Sequence, residues 1–506
     1  MHDLILGFDL GTQSAKCVVM APSGQVVAFT RFDYPILTPE PCAAEQNPED
    51  WWQAFCHCTR EVLQRDTISP SAIAAIGLSG QMHGVVLTAD DGTPLYPAII
   101  WADTRAGGCG QRLVEQIGEK RFAEITRNRA PAGFFGPNLL WLSENNPQCF
   151  RTARWFLSPK DWLRLKLTGH AHTEPSDASA TALFDVAQRQ WSHEIHDAAG
   201  INAENLPAVV ESTAIAGHLT ADAARASGLA EGTPVVAGAG DTPAAALGHG
   251  ILQPGHTLLT IGTGGQLLCC AHEPLYDPLL RTHTFCHVLP QRWYVMAATL
   301  SAGLSLRWFR DVFAPSTPYD ALMDEAAAVD PGASGILFMP HLAGERTPYY
   351  DPFSTAAFAG LSLRHTRAHL VRAILEGVAF SQRIGLELVR SLGLSAEPVV
   401  FGGGAAKSAL WRQILADVLG IRLAVVEGEE HAALGAAMLA AVGVGIYGDL
   451  DDACSQLIHA RTAASPSPTL APIYDERYAL FLSLYDRLRL LRSEPVASPK
   501  AKRNLA

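Results

Sequence analysis

An aspartate that ends an apolar run and is followed by a glycine turn and a hydroxyl can handle a metal–phosphate complex. Asp9-Leu10-Gly11-Thr12 is such a segment. The carboxylate suits hydrated Mg²⁺, and N–H groups of the turn can meet phosphate oxygens. One match would equally describe an ordinary hairpin. A second, Ile261-Gly262-Thr263-Gly264, places Gly262 251 positions after Gly11 (262 minus 11). Two such turns facing each other could hold a polyphosphate from both sides. A third segment, Ala237-Gly238-Ala239-Gly240-Asp241-Thr242, follows the strand-like Pro234-Val235-Val236, and its small residues would let a ligand come close. Phosphoryl transfer to an alcohol needs a group that orients the hydroxyl and accepts its proton, and Asp241 suits that role. Asp241 could instead cap a helix starting near Pro243. A carboxylate engaged by amides is a poorer base, so the two roles compete.

Other loops offer groups for a polyhydroxylated ligand. Gln81-Met82-His83-Gly84 supplies an amide and an imidazole, and Trp101-Ala102-Asp103-Thr104-Arg105 an aromatic plane, a carboxylate and a guanidinium. Gly344-Glu345-Arg346-Thr347-Pro348 reads by itself as a salt-bridged turn. Pro398-Val399-Val400-Phe401 leads into Gly402-Gly403-Gly404 and then a helix with Leu410, Ile414, Val418 and Leu419 on one face, a unit of the nucleotide-binding kind. Cys56-His57-Cys58 lacks the spacing and the second ligand pair of a zinc site.

These residues need strands to present them. Leu4 to Asp9, Cys17 to Met20 and Val26 to Phe29 read as a β-meander, and Asn47-Pro48-Glu49-Asp50 opens a helix. Ile73 to Leu78 is a further buried strand, running into the loop of Met82 and His83. Leu258 to Ile261 and Gln266 to Cys270 repeat the first hairpin, which suggests a duplication with a crossover at residues 248–255. The 506 residues exceed one ordinary core, so two domains are expected. Hydrophobic residues at 48% and charged residues at 17% describe a compact globular chain. The net charge of -12 argues against a nucleic-acid groove. No apolar run is long enough to span a membrane, and the first residues lack a signal-peptide layout. The ten scattered cysteines then read as reduced core thiols of a cytoplasmic protein.

In order along nearly the whole chain, these segments resemble the FGGY family of carbohydrate kinases, and within it the xylulokinases. The stretches most specific to that branch are residues 80–84, 284–293 (Thr-Phe-Cys-His-Val-Leu-Pro-Gln-Arg-Trp) and 342–348. The resemblance implies an α/β fold of two actin-like ATPase (ribonuclease H-like) domains around a central cleft. Residues 1–247 would bind mainly sugar, 248–490 mainly ATP, and 491–506 would be a flexible tail. It implies Asp241 as the catalytic base and Met82 and His83 as sugar contacts, with Trp101, Asp103 and Thr242 close by. Asp9 would face the metal. Gly11 and Thr12 on one side and Gly262, Thr263 and Gly264 on the other would take the phosphates, and Gly402, Gly403, Gly404 and Ala405 would lie along the nucleotide. The implied reaction is ATP plus D-xylulose giving ADP plus D-xylulose 5-phosphate, with Mg²⁺, in a homodimer that binds neither nucleic acid nor membrane. Two departures bear on the sugar: Thr242 and Ala102 stand where these kinases commonly carry asparagine. D-ribulose, L-xylulose or an alditol are alternative acceptors. An actin-like ATPase without a sugar is a reading from another class, disfavoured by the Gly240-Asp241 element and the Met82-His83 loop.

Overall fold

Strands buried on both faces are apolar along their length, and β1 (Leu4–Leu10) has only its first residue partly exposed. In the computed structural model, which describes residues 3–491, β1 turns back into antiparallel β2 (Ser14–Met20), which sets Asp9 opposite Lys16. The expected tail lies, beyond residue 491, outside the described residues. β3 (Val26–Asp33) alternates between buried and exposed and closes the meander at a sheet edge. α1 (Pro48–Arg65) begins as its sequence predicts: the Asn47 side chain accepts from the Glu49 N–H at 3.2 Å, with acids in the first turn. β4 (Ile73–Gly80) runs parallel to β1, with Asp9 beside Ser79 and Leu10 beside Gly80. After a long insertion containing α2 (Pro159–Thr168), β5 (Ile215–His218) and β6 (Pro234–Val236) complete the order β5-β6-β4-β1-β2-β3. β7 (Ala239–Gly240) pairs with the end of β4, Gly240 beside Gly80. Leu10, Gly80 and Gly240 therefore end at one edge, and the three chemistry-bearing loops leave the sheet together.

α3 (Asp241–Gly248) leads to the second sheet: β8 (Thr257–Ile261), β9 (Gly265–Ala271), β10 (His283–Cys286), β11 (Trp293–Thr299), β12 (Val399–Gly402), β13 (Leu423–Val426) and β14 (Ala460–Ala464), in the order β10-β11-β9-β8-β12-β13-β14. Helices of this half include α4 (Gly303–Phe313), α5 (Tyr319–Ala327), α6 (Arg367–Ser391), α7 (Ala409–Leu419) and α8 (His431–Gly443). β8 and β9 form an antiparallel hairpin and β12 runs parallel to β8, the pairing already seen among β1, β2 and β4. The internal repeat read from two short motifs thus extends to the strand arrangement.

The halves are joined on two sides. α8, from the second half, lies across the first sheet, which simple division of the chain at residue 248 does not anticipate. Its alanines let backbones touch: a Cβ on Gly77 would come 1.8 Å from the Ala436 carbonyl, and one on Gly7 2.1 Å from that of Ala433. On the other side the insertion is stitched to the second sheet. Asn128 Nδ2 donates to the Thr284 carbonyl at 2.7 Å, and Trp293 Nε1 to that of Val186 at 2.7 Å. Among the described residues no helix is long and apolar enough to cross a membrane.

Candidate active site

Between the sheets the strand ends enclose a cavity of about 380 Å³. Thr12, Met82, His83, Trp101, Asp241 and Thr242 line it from the first half, and Gly262, Thr263, Gly264, Phe285 and Arg346 from the second. Asp241 is the first residue of α3, whose cap position is Gly240. Its Oδ1 accepts from the Thr242 N–H at 2.6 Å and the Thr242 hydroxyl at 3.2 Å. Burial, with the negative Asp9 nearby, pushes the Asp241 carboxyl up to about 7 against those hydrogen bonds. One carboxylate oxygen is therefore engaged at the helix start, and no protein hydrogen bond reaches the other among the described residues. Asp9 is also raised by burial, while Ser79 donates to its Oδ1 at 2.7 Å.

The small residues before Asp241 serve packing rather than ligand access. Gly238 has φ +84, and a Cβ there would lie 2.1 Å from the Leu78 carbonyl; one on Gly240 would strike Met82. The segment is anchored from below by buried charges. Arg164 and Lys160 donate to the Ala237 carbonyl at 2.5 and 3.5 Å, and the Gly240 N–H donates to Ser176 Oγ at 3.1 Å. Asp161 pairs with Lys160 at 2.5 Å and with Arg164 at 2.9 Å, and Glu174 and Asp177 each lie 3.7 Å from Lys160. Burial drives the Asp177 carboxyl well up, as suits the third acid beside two cations.

Met82 packs under Gly240, and His83 stacks on Phe134 with ring centroids 4.0 Å apart. The left-handed backbone of His83, φ +72, turns the ring into the cleft wall. Burial takes its pKa down to about 4 despite the bond to the Ala180 carbonyl, and the Arg346 charge pushes the same way. The ring is neutral at pH 7, and with Nδ1 set 2.8 Å from the Ala180 carbonyl it donates there and leaves Nε2 as an acceptor. Trp101, 39% exposed, forms the rim and donates from Nε1 to Thr12 Oγ1 at 2.9 Å. Asp103 departs from expectation. It is fully buried and accepts from the Ala44 N–H and from the N–H and Nε of Arg105, each at 2.9 Å. It does not reach the cavity; it holds the loop that carries Trp101, because a carboxylate with three donors around it is satisfied inside the protein. Arg346 and Phe285 are among the wall residues missed by the sequence reading, although the stretches of both had been singled out.

A larger cavity, about 840 Å³, opens on the far side of the β8–β9 turn. Its walls include Leu306, Tyr319, Met323, Gly404 and Ala405, and it shares Gly262 and Thr263 with the smaller cavity. The α5 wall carries no motif and was not foreseen. Gly11 lines neither cavity and shapes the β1–β2 turn, its N–H donating to the Ser14 carbonyl at 3.1 Å. Gly402 and Gly403 stand behind the wall of this cavity: Gly403 has φ +82, and its Cβ would meet the Ile261 carbonyl at 2.7 Å, while one on Gly402 would meet His249. Gly262 and Gly404 differ, since a Cβ on either would find no protein atom within 4 Å. At those two positions the missing side chain leaves room for something other than protein.

Two cavities meeting at a glycine hairpin, on duplicated sheets of this order, define a two-substrate phosphotransferase of the actin-like ATPase fold. Residues 4–248 match the N-terminal domain of the FGGY family of carbohydrate kinases, and residues 257–444 its C-terminal domain. The chain belongs to that family and is a sugar kinase. It is 38% identical over 489 residues to the xylulose kinase of Bacillus subtilis (strain 168), covering 97% of this chain and 98% of the relative. It is 31% identical to a gluconokinase of the same organism, with 96% of each chain covered. The solved structure of a xyloylose kinase from Brucella ovis superposes with a TM-score of 0.90 at 33% identity, covering 96% of this chain and all of that one (100%).

Proposed function

We propose that the protein transfers the γ-phosphoryl group of ATP to the terminal hydroxyl of D-xylulose, giving ADP and D-xylulose 5-phosphate. The observation that carries this reading is the meeting of the two cavities at Gly262 and Thr263, with Asp241 on the smaller side. Xylulose kinases among the relatives support the choice of sugar. The need for ATP fits a cytoplasmic setting.

The sugar hydroxyl lies against the free oxygen of Asp241, which takes its proton. The hydroxyl oxygen bonds to the γ-phosphorus, and the bond to the bridging oxygen breaks, with the electron pair leaving on ADP. Gly262, with open space where a Cβ would be, lets the phosphate chain approach the hairpin turn, whose N–H groups offset its charge. His83 accepts from a sugar hydroxyl, and Trp101 closes the rim. Asp9 and Thr12 offer the hard oxygen donors that Mg²⁺ takes together with substrate phosphates. They fit it: Lys16, the cation acting on Asp9, is itself paired with Glu430 at 2.7 Å, so the negative charge around Asp9 and Asp241 is not neutralised by the protein alone. Bound there, the ion would screen the phosphate charge.

The gluconokinase relative, together with this chain's own Thr242 and Ala102 where xylulokinases commonly carry asparagine, keeps a second acceptor in view. ADP release with Mg-ATP and a panel of D-xylulose, D-ribulose, L-xylulose, alditols and gluconate tests the reading. D-xylulose should give the highest kcat/KM; a higher value for another acceptor overturns the sugar while leaving the kinase.

A further inference from the structure

Thr12 lines the smaller cavity and not the larger, and side chains from outside its own turn hold it in place. Trp101 donates from Nε1 to Thr12 Oγ1 at 2.9 Å, and Gln46 Nε2 donates to the Thr12 carbonyl at 2.7 Å. Gln46 is buried, and its orientation is settled by its neighbours. A carbonyl only accepts, so the amide NH2 faces Thr12, and the amide oxygen accepts from Gln81 Nε2 at 2.7 Å. Gln81 in turn donates its backbone N–H to the Leu10 carbonyl at 2.8 Å. The Tyr34 hydroxyl donates to the Gly11 carbonyl, so the whole β1–β2 turn is fastened.

Gln46 and Trp101 belong to one built unit. Glu45–Gln46 pairs antiparallel with Ala98–Ile99, which ends two residues before Trp101. Arg105 ties the Trp101 loop back to Glu45 Oε1 at 2.6 Å. A Cβ on Gly133 would lie 2.0 Å from the Trp101 carbonyl, so the loop backbone is tightly packed there. An indole N–H only donates, and it takes one lone pair of the Thr12 hydroxyl. That hydroxyl keeps its proton, which no protein acceptor takes among the described residues.

The nucleotide of the proposed reaction takes the larger cavity, and its phosphate chain passes Gly262 and Thr263, which both cavities share. Thr12, on the smaller side alone, meets the last phosphoryl group of that chain. We infer that Trp101 and Gln46 are positioning residues for phosphoryl transfer, holding Thr12 so that its hydroxyl proton is offered to the γ-phosphoryl group. The inference rests on the kinase reading above and gives Trp101 a task on the phosphate side of the cavity as well as at its rim.

Calorimetric Kd values for ADP and for the non-hydrolysable ATP analogue adenylyl imidodiphosphate, with Mg²⁺ and without sugar, test it. Wild type, Trp101→Phe, Gln46→Met, Thr12→Val and the double variant of Trp101→Phe with Thr12→Val are compared, each with a thermal melt. Trp101→Phe keeps an aromatic ring and removes the N–H. It should weaken the analogue by about three- to tenfold, the scale of one hydrogen bond, and ADP by less than about twofold. Gln46→Met, which releases the Thr12 carbonyl, should show the same inequality. Thr12→Val removes the hydroxyl itself. In that background Trp101→Phe should cost nothing further, because both changes then break one interaction. A Trp101→Phe loss that persists undiminished beside Thr12→Val, or that falls equally on ADP and the analogue, overturns the assignment. So does unchanged nucleotide binding with a raised KM for D-xylulose, which would leave Trp101 to the sugar alone. The Trp101–Thr12 cycle removes no buried amide, so it decides the matter even where Gln46→Met folds poorly. A wild type that binds neither nucleotide overturns the kinase reading and the inference with it, a failure distinct from the others.

Discussion

The Asp241 carboxyl, raised to about 7, would carry both the proton transfer of the proposed reaction and a stability penalty. Only its ionised form accepts a proton, so kcat/KM should fall as pH drops below about 7, with a one-proton acid limb that Asp241→Asn removes. The same substitution should lower kcat by about 10²-fold or more at pH 8, read from ADP release, while sugar binding changes far less. The effect on folding runs the other way. The folded state holds the proton more tightly than the unfolded chain, so the contribution of this group is fully favourable below the ordinary value of 3.8 and is lost as pH rises through about 7. Asp241→Asn should therefore raise the Tm of the ligand-free protein, and by more at pH 8 than at pH 5. A Tm gain equal at both pH values would mean that the carboxyl is not perturbed.

At the scale of elements, the β8–β9 turn and the segment before α3 rest on different physics. Gly262 has open space where a Cβ would be, so Gly262→Val should leave the melting temperature nearly unchanged while raising KM for ATP by about tenfold or more, as expected for displaced phosphate contacts. A large loss of stability would show that packing, not a ligand, requires that glycine. The Ala237-to-Gly240 segment, by contrast, hangs on α2 through Lys160 and Arg164, both fully buried. Removing one cation strands the acids Asp161, Glu174 and Asp177 away from water. Lys160→Met should cost about 3–5 kcal/mol in denaturant unfolding, the range for breaking a buried pair. A near-neutral result would mean that the acids take up protons and absorb the loss.

For the whole molecule, the two lobes are tied where α8 crosses the first sheet and where the insertion meets β10. The cavities lie between these ties, at the strand ends. Binding a sugar between the lobes should draw them together and exclude water, which would otherwise accept the phosphoryl group. Small-angle scattering should show a smaller radius of gyration with D-xylulose than without; superimposable profiles would count against closure.

Much of this was legible in the residues themselves, for local reasons. Apolar runs broken by glycine turns specify the two hairpins, and Asn47-Pro48-Glu49 specifies the start of α1, because turns and caps depend on neighbours in the chain. The segments of His83, Asp241 and Gly262, singled out by type and spacing, do come together around one cavity. What the chain could not express locally is which side chains share a space. Asp103 read as a ligand until the Ala44 N–H and the N–H and guanidinium of Arg105 enclosed it, and Arg346 read as part of a turn until the fold set it in the cavity lining. The glycines show the same division: all look alike in sequence, yet only the packed structure separates Gly403, pressed on a carbonyl, from Gly262 and Gly404, which face open space. The sequence alone determined the strands, the hairpins and the class of reaction; contacts between residues far apart in the chain decided which of its polar groups remain free to meet a ligand.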